Sequence, residues 1–121
     1  MIIAVVGPVG SGKDLISDIL SSEYGFGKVS LGDSLREELI ENGIELTREN
    51  LQNEGDKVRK EKGADYLARK VSKNLQKEKN YVFTSIRNPA EIEFLKSIFE
   101  EMIVLINVLY FDFFYQPYSS W

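Results

Sequence analysis

The 121-residue chain contains no cysteine and no histidine. Without cysteine there is no disulfide framework and no thiolate nucleophile, and lacking both residues argues against a structural zinc site. Positive charge is in deficit too: 15 Lys and Arg face 19 Asp and Glu, a net charge of −4. That balance argues against a protein whose main task is gripping a nucleic acid backbone. Long apolar runs are also missing. The stretch Met102–Phe111 is too short to cross a bilayer and Asn107 interrupts it, so no membrane span is expected. The start Met1-Ile2-Ile3 lacks the basic flank and cleavage site of a signal peptide and reads as a strand, which points to a cytoplasmic location. There is no internal repeat and no low-complexity linker. What remains is 43% apolar and 28% charged, the composition of one globular domain at most.

Within that domain, apolar strand-like runs alternate with amphipathic helical stretches. Ile2–Val6 is continuously apolar, as expected of a central strand buried on both faces. Asp14–Glu23 places Leu15, Ile16, Ile19 and Leu20 on one helical stripe ended by Gly25. Lys28–Leu31 is a second strand candidate. Helical spacing returns with Leu35, Leu39 and Ile40, with Asp33 as the expected N-cap and Asn42-Gly43 as the stop. Thr47 can cap a short helix carrying Leu51, and a longer one carries Leu67, Val71 and Leu75. Tyr81–Ile86 reads as the third strand. Asn88, Pro89 and Glu91 then form a helix start of the capping-box type, and Ile92, Leu95 and Phe99 give that helix an inner face. Met102–Leu109 is the last strand candidate. The pattern predicts an α/β fold with a mainly parallel sheet covered on both sides.

The chemistry begins where the first strand ends. Gly7-Pro8-Val9-Gly10-Ser11-Gly12-Lys13 fits the phosphate-binding pattern G-x-x-x-x-G-K between a strand and a helix. Its backbone amides and the following helix N-terminus would cradle an anion, with Gly7, Gly10 and Gly12 permitting the close approach. Ser11 belongs to the same cradle, and Lys13 can reach the β and γ phosphates of a nucleoside triphosphate. The next position holds Asp14, where the usual loop has a hydroxyl. Its carboxylate could ligate magnesium, repel the phosphates unless the metal is present, or simply favour the helix start.

Three arginines stand where ligands bind an open α/β sheet, at the C-terminal edge. Arg36 and Asp33 belong to Ser30-Leu31-Gly32-Asp33-Ser34-Leu35-Arg36, Arg87 follows the third strand, and Arg59 opens a basic helical region. Their planar forks suit a phosphate-bearing acceptor; for Arg59 a surface or salt-bridge role stands equally beside that one. Charge is segregated here. Asp33–Asp56 holds eight acids and two arginines, while Lys57–Lys79 holds nine bases and three acids. The two segments are either solvated, mutually attracting faces or, for the bases, a surface toward a polyanionic ligand.

Together these residues resemble the P-loop kinases of small phosphorylated acceptors: adenylate-kinase-like nucleoside monophosphate kinases and their dephospho-CoA-kinase-like relatives. The resemblance covers roughly residues 2–108, through the loop Gly7–Lys13, the Ser30/Gly32/Asp33/Arg36 group, the segments Thr47–Leu51 and Gly55–Arg59, and Ile86–Glu91. The Gly-Lys-Asp form of the loop resembles that of phage-type deoxynucleoside monophosphate kinases and phosphomevalonate kinase. The resemblance implies a P-loop three-layer sandwich with strands in the order 2-3-1-4, and ATP-dependent phosphoryl transfer with Mg2+. The first choice of acceptor is a (deoxy)nucleoside monophosphate, with dephospho-CoA as the alternative. It implies Lys13 and Arg87 as catalytic residues, and Gly7, Gly10, Ser11, Gly12, Lys13 and Asp14 at the donor phosphates. Asp14 is the metal ligand, and Asp33, Arg36, Arg59 and Arg87 bind the acceptor. Residues 1–109 would form the core, with an acceptor-binding helical insert at about 33–78.

Two departures accompany the resemblance. Thr84 and Ser85 stand near the place where relatives often carry an Asp. In the family an arginine-bearing helix, a lid and a last strand follow the fourth strand, so that the chain resembles a kinase cut short. Here Tyr110–Trp121 is instead an atypical tail with seven of the chain's fourteen aromatics. A nucleotide-binding module that is catalytically incomplete is therefore the rival expectation. The expected partners are small-molecule nucleotides, and the apolar tail allows a homodimer.

Overall fold

Five consecutive apolar residues form β1 (Ile2–Val6), and all five are buried. The computed structural model of the chain describes residues 1–7 and 13–106. β1 lies between β3 (Tyr81–Thr84) and β4 (Met102–Ile106), and β2 (Gly27–Ser30) pairs beyond β3. Every pairing is parallel and the order is β2-β3-β1-β4, as the resemblance implies. Parallel neighbours need crossover connections. These run through α1 (Lys13–Tyr24), the trio α2 (Leu31–Glu41), α3 (Arg48–Lys62) and α4 (Tyr66–Ser72), and α5 (Pro89–Ile98).

Because successive strand side chains point to opposite faces, β1 divides its residues between two cores. Ile2, Ala4 and Val6 join Phe83, Leu35, Leu67 and Leu95 in the larger one, beneath α2–α5. Ile3, Val5 and Val82 meet Ile16, Leu20 and Phe26 under α1. The result is three layers, helix–sheet–helix. Phe83 is wholly buried and meets Phe99 edge-on at 6.3 Å between ring centroids, a burial of about 1.5–3 kcal/mol.

The short-range punctuation acts as expected at three places. Thr47 accepts from the Asn50 amide at the start of α3, Asn88 and Glu91 form a reciprocal capping box with Pro89 in the first turn of α5, and Asn42-Gly43 closes α2 with Gly43 at φ +70°. Elsewhere the structure corrects the expectation. α2 begins at Leu31, so Ser30 holds the N-cap position and Asp33 lies inside the first turn, where the helix dipole favours its charge. β3 stops at Thr84 rather than Ile86, because Ser85 takes the left-handed conformation at φ +63° and turns the chain out of the sheet. α1 faces the sheet through Ile16, Ser17 and Leu20, while Leu15 is 65% and Ile19 41% exposed. At about 100° per residue these two lie on the helix flank rather than at its contact line. α4 ends at Ser72, short of Leu75, though Leu67, Val71 and Leu75 all pack on the larger core. Among the described residues no helix is long and apolar enough to cross a membrane. The expected strand continuation at 107–109 and the aromatic tail at 110–121 lie outside the described residues.

Candidate functional site

The strand order reverses beside β1, since β2 and β3 lie on one side of it and β4 on the other. Ligands of open α/β sheets bind at the C-terminal edge beside such a reversal. Gly7 leaves β1 there, buried, and α1 begins with Lys13 followed by the exposed Asp14 in its first turn. The expected cradle residues Gly10, Ser11 and Gly12 lie outside the described residues.

On the same edge a cavity of about 430 Å³ opens between the strand ends and the helical insert. Four arginines line it: Arg36 from α2, Arg48 and Arg59 from α3, and Arg87 from the turn after β3. Leu35 and Leu51 supply apolar wall, Gln52 a neutral polar group, and Asp56 a carboxylate. Gly32 and Ser85 form the side next to the sheet. The left-handed turn at Ser85 brings its hydroxyl to 3.1 Å from that of Ser30 and aims the chain toward Arg87.

The charges in this cavity are not balanced from within. Among the described residues neither Arg87 nor Arg48 has an ion-pair partner. Burial, followed by repulsion from Arg59 and Arg48, pushes the Arg87 guanidinium below its usual pKa, and Glu91 offsets this only in part. A guanidinium stays charged under such pressure, so Arg87 and Arg48 are two cations on the cavity wall to which an entering anion could bind. Arg36 is quieter. It donates to Asp33 at 2.6 Å on a surface where both side chains are at least half exposed.

Beneath the cavity floor Glu91 is completely buried. Its Oε2 accepts from Arg59 Nε at 3.1 Å, and its Oε1 accepts from the backbone N–H groups of Arg87 at 2.7 Å and Asn88 at 3.2 Å. Burial drives its carboxyl above the usual glutamate value, against the opposing pull of Arg59 and of the Arg87 and Asn88 amides.

Of the residues expected at the acceptor, Arg36, Arg59 and Arg87 meet at one cavity, and Asp33 does not line it. Asp33 points its carboxylate to Arg36 instead, so its place is beside the site, holding one of the arginines. Arg48 lines the cavity although sequence reasoning left it as part of the insert alone. The usable signal was helical spacing: Arg48, Leu51, Gln52, Gly55 and Arg59 recur three or four residues apart along one face of α3, and that face lines the cavity. Glu91 was legible as a helix cap, but its bond to Arg59, 32 residues away, was not.

Residues 6–113 match the family model described as AAA domain. Among curated relatives, a UPF0200 protein of Methanothrix thermoacetophila is 37% identical over 97 residues, covering 80% of this chain and 53% of that protein. Another, from Pyrococcus abyssi, is 38% identical over 111 residues, covering 87% of this chain and 59% of its own length. The chain thus spans little more than half the length of these relatives. Among solved structures, a gluconokinase from Sinorhizobium meliloti 1021 superposes with a TM-score of 0.46 at 16% identity, over 86% of this chain and 55% of that one.

Proposed function

We propose that this chain, which belongs to the AAA domain family, binds a nucleoside triphosphate at its glycine-rich loop and passes the terminal phosphoryl group to a small phosphorylated acceptor. The observation that carries this reading is the cavity of about 430 Å³ with four arginines on the loop's edge of the sheet. Its size lies within the roughly 300–1,000 Å³ typical of small-ligand sites. Its excess of planar cations matches a phosphate-bearing molecule better than a neutral one. The acceptor best fitting that chemistry is a (deoxy)nucleoside monophosphate, and dephospho-CoA is the alternative.

In the proposed reaction the loop amides and Lys13 hold the donor phosphates. With a nucleoside monophosphate as acceptor, an oxygen of its phosphate attacks the γ-phosphorus, the bond to the β–γ bridging oxygen breaks, and the nucleoside diphosphate leaves. With dephospho-CoA the attacking group is a hydroxyl, whose proton passes to solvent. No covalent enzyme intermediate is needed, because positioning and charge neutralisation supply the rate. Arg36, Arg48, Arg59 and Arg87 orient the acceptor phosphate, and Arg87, without an ion-pair partner among the described residues, also meets charge as it builds on the transferring group. Asp14, exposed in the first turn of α1, fits a magnesium ion, which takes one or two carboxylates and completes its shell with water and phosphate oxygens. When bound, that ion would neutralise donor phosphate charge.

The test is phosphoryl transfer from MgATP to a panel of nucleoside monophosphates and dephospho-CoA, followed by 31P NMR. The expected products are ADP and one phosphorylated acceptor. Arg87→Ala should lower turnover by about 100-fold or more, the scale of losing a transition-state charge partner. ATP binding with no transfer to any acceptor would sink the kinase reading and leave a nucleotide-binding module.

A further inference from the structure

We infer that Glu91 is a positioning residue for the acceptor phosphate: it grips Arg59 by Nε, anchors the Arg87 backbone with its other oxygen, and so presents both guanidinium groups to one anion. The inference rests on the phosphate-acceptor reading of the cavity and adds a residue that lies outside the cavity's lining.

A helix cap alone does not account for the arrangement. In a capping box the carboxylate at the third helical residue reaches back to the N-cap amide, and here Oε1 does so toward Asn88. The same oxygen also accepts from the Arg87 amide at 2.7 Å, and Oε2 is spent on Arg59, a residue of α3. Glu91 is 0% exposed. An uncompensated carboxylate there would be costly, and an ordinary surface cap would avoid the cost. Asn88 works in parallel: its Oδ1 caps the Glu91 amide, and its Nδ2 donates to the Ala64 carbonyl just beyond α3. Two side chains at one helix start therefore tie the core strand end to the insert on which Arg59 rides.

The geometry at Arg59 is directional. Nε is occupied by Glu91, and among the described residues neither terminal nitrogen has a hydrogen-bond partner. Gly55 leaves room for that end of the side chain, since a Cβ there would stand 3.0 Å from Arg59 Nη1 and 3.3 Å from Leu35 Cδ1. A guanidinium clamped at Nε keeps its two-nitrogen edge available for a bidentate phosphate contact. A lysine ammonium offers no such division of labour.

Charge and position make opposite predictions, and this gives the test. Removing a carboxylate beneath the arginines raises the local positive potential, so a purely electrostatic Glu91 predicts tighter anion binding in Glu91→Gln. A positioning Glu91 predicts weaker binding, because the glutamine amide presents a donor to the Arg59 donor and releases it. Inorganic phosphate is titrated into the full chain while the arginine Nε–H resonances are followed by 15N NMR, which reads this cavity separately from the glycine-rich loop. Wild type should show saturable shifts at Arg59 and Arg87. Glu91→Gln should bind phosphate about tenfold more weakly, the scale of one charge-assisted hydrogen bond. Arg59→Lys, which keeps the charge, should lose a similar factor, and the double variant should lose no more than either single one. Unchanged or tighter binding in Glu91→Gln, or independent losses that multiply in the double variant, would overturn the inference alone. If Glu91→Gln does not fold, Glu91→Asp decides instead: it keeps the charge but draws the carboxylate back from Arg59, so it should also bind phosphate more weakly, and wild-type affinity there overturns the inference. A wild type with no saturable response at Arg59 and Arg87 overturns the cavity reading and this inference with it.

Discussion

Two carboxylates tie the helical insert together, and they behave in opposite ways. Glu38 of α2 accepts from Lys70 Nζ at 2.7 Å and from the Tyr66 hydroxyl at 3.1 Å, joining α2 to α4 on the side away from the cavity. Glu91 joins α5 to α3 under the cavity through Arg59. Burial opposes ionisation at both. At Glu38 the hydrogen bond and charge of Lys70, with help from Tyr66, overcome it, and the carboxyl sits below its usual pKa. At Glu91 burial wins, and the carboxyl sits above it. The side-chain exposures, 11% against 0%, account for the difference. A shallow clamp lets water share the cost of two charges, so it yields net stability. A deep one gains less from its pairing, because burial opposes the charge that the pairing needs.

The comparison breaks most visibly when each acid is deleted. Glu91→Ala leaves Arg59 uncompensated at 16% exposure together with two orphaned backbone amides, and chemical denaturation should show a loss of about 3–5 kcal/mol. Glu38→Ala should cost only about 1 kcal/mol, because Lys70, one-third exposed, can turn to water. Equal losses at the two sites would contradict the assignment of deep and shallow clamps.

The sign of the pH dependence sharpens it further. Glu38 has a depressed folded pKa, so its contribution is present above the unfolded value and lost as pH falls through the folded one. Glu91 has a raised folded pKa, so its contribution is present below the unfolded value and lost as pH rises through the folded one. Stability measured across the acid range should therefore become less acid-sensitive in Glu38→Gln. In Glu91→Gln it should become more acid-sensitive, since a term favouring the folded state on acidification is gone. Shifts in the same direction would show that the two environments are alike. The smallest effect belongs to the arginine with an exposed partner. Arg36→Lys should change global stability by less than about 0.5 kcal/mol, because its ion pair with Asp33 is solvated. Denaturation midpoints would check this.

Much of the fold was legible because it rests on signals a few residues long. The apolar run Ile2–Val6 became the central strand, and Thr47, Asn88 and Gly43 punctuated helices where their local chemistry allowed. That Arg36 and Arg87 line the cavity follows from their places just after β2 and β3, since strand ends collect at one edge of a parallel sheet. Arg59, in the last turn of α3, reaches it only through the packing of the insert. Other features were not legible. Leu15 and Ile19 share the apolar spacing of Ile16 and Leu20, and only the helix's seat on the sheet decided which pair was covered. Asp33 matched an N-cap pattern but was displaced when α2 started three residues earlier, at Leu31 with Ser30 as its N-cap.

The sequence by itself determined a strand and a helix joined through the G-x-x-x-x-G-K pattern, the alternation that makes a parallel three-layer fold, and the supply of arginines in its insert and strand ends. Those depend on periodicity and spacing, which local sterics and hydrogen bonding read directly. The tertiary structure decided which charges meet. It brought Arg48 to the cavity wall, turned Asp33 aside, and set Glu91 against Arg59 across 32 residues. Burial did the rest. Depth, which no sequence spacing records, decides whether burial or pairing prevails at a carboxylate, as Glu91 and Glu38 show in opposite directions.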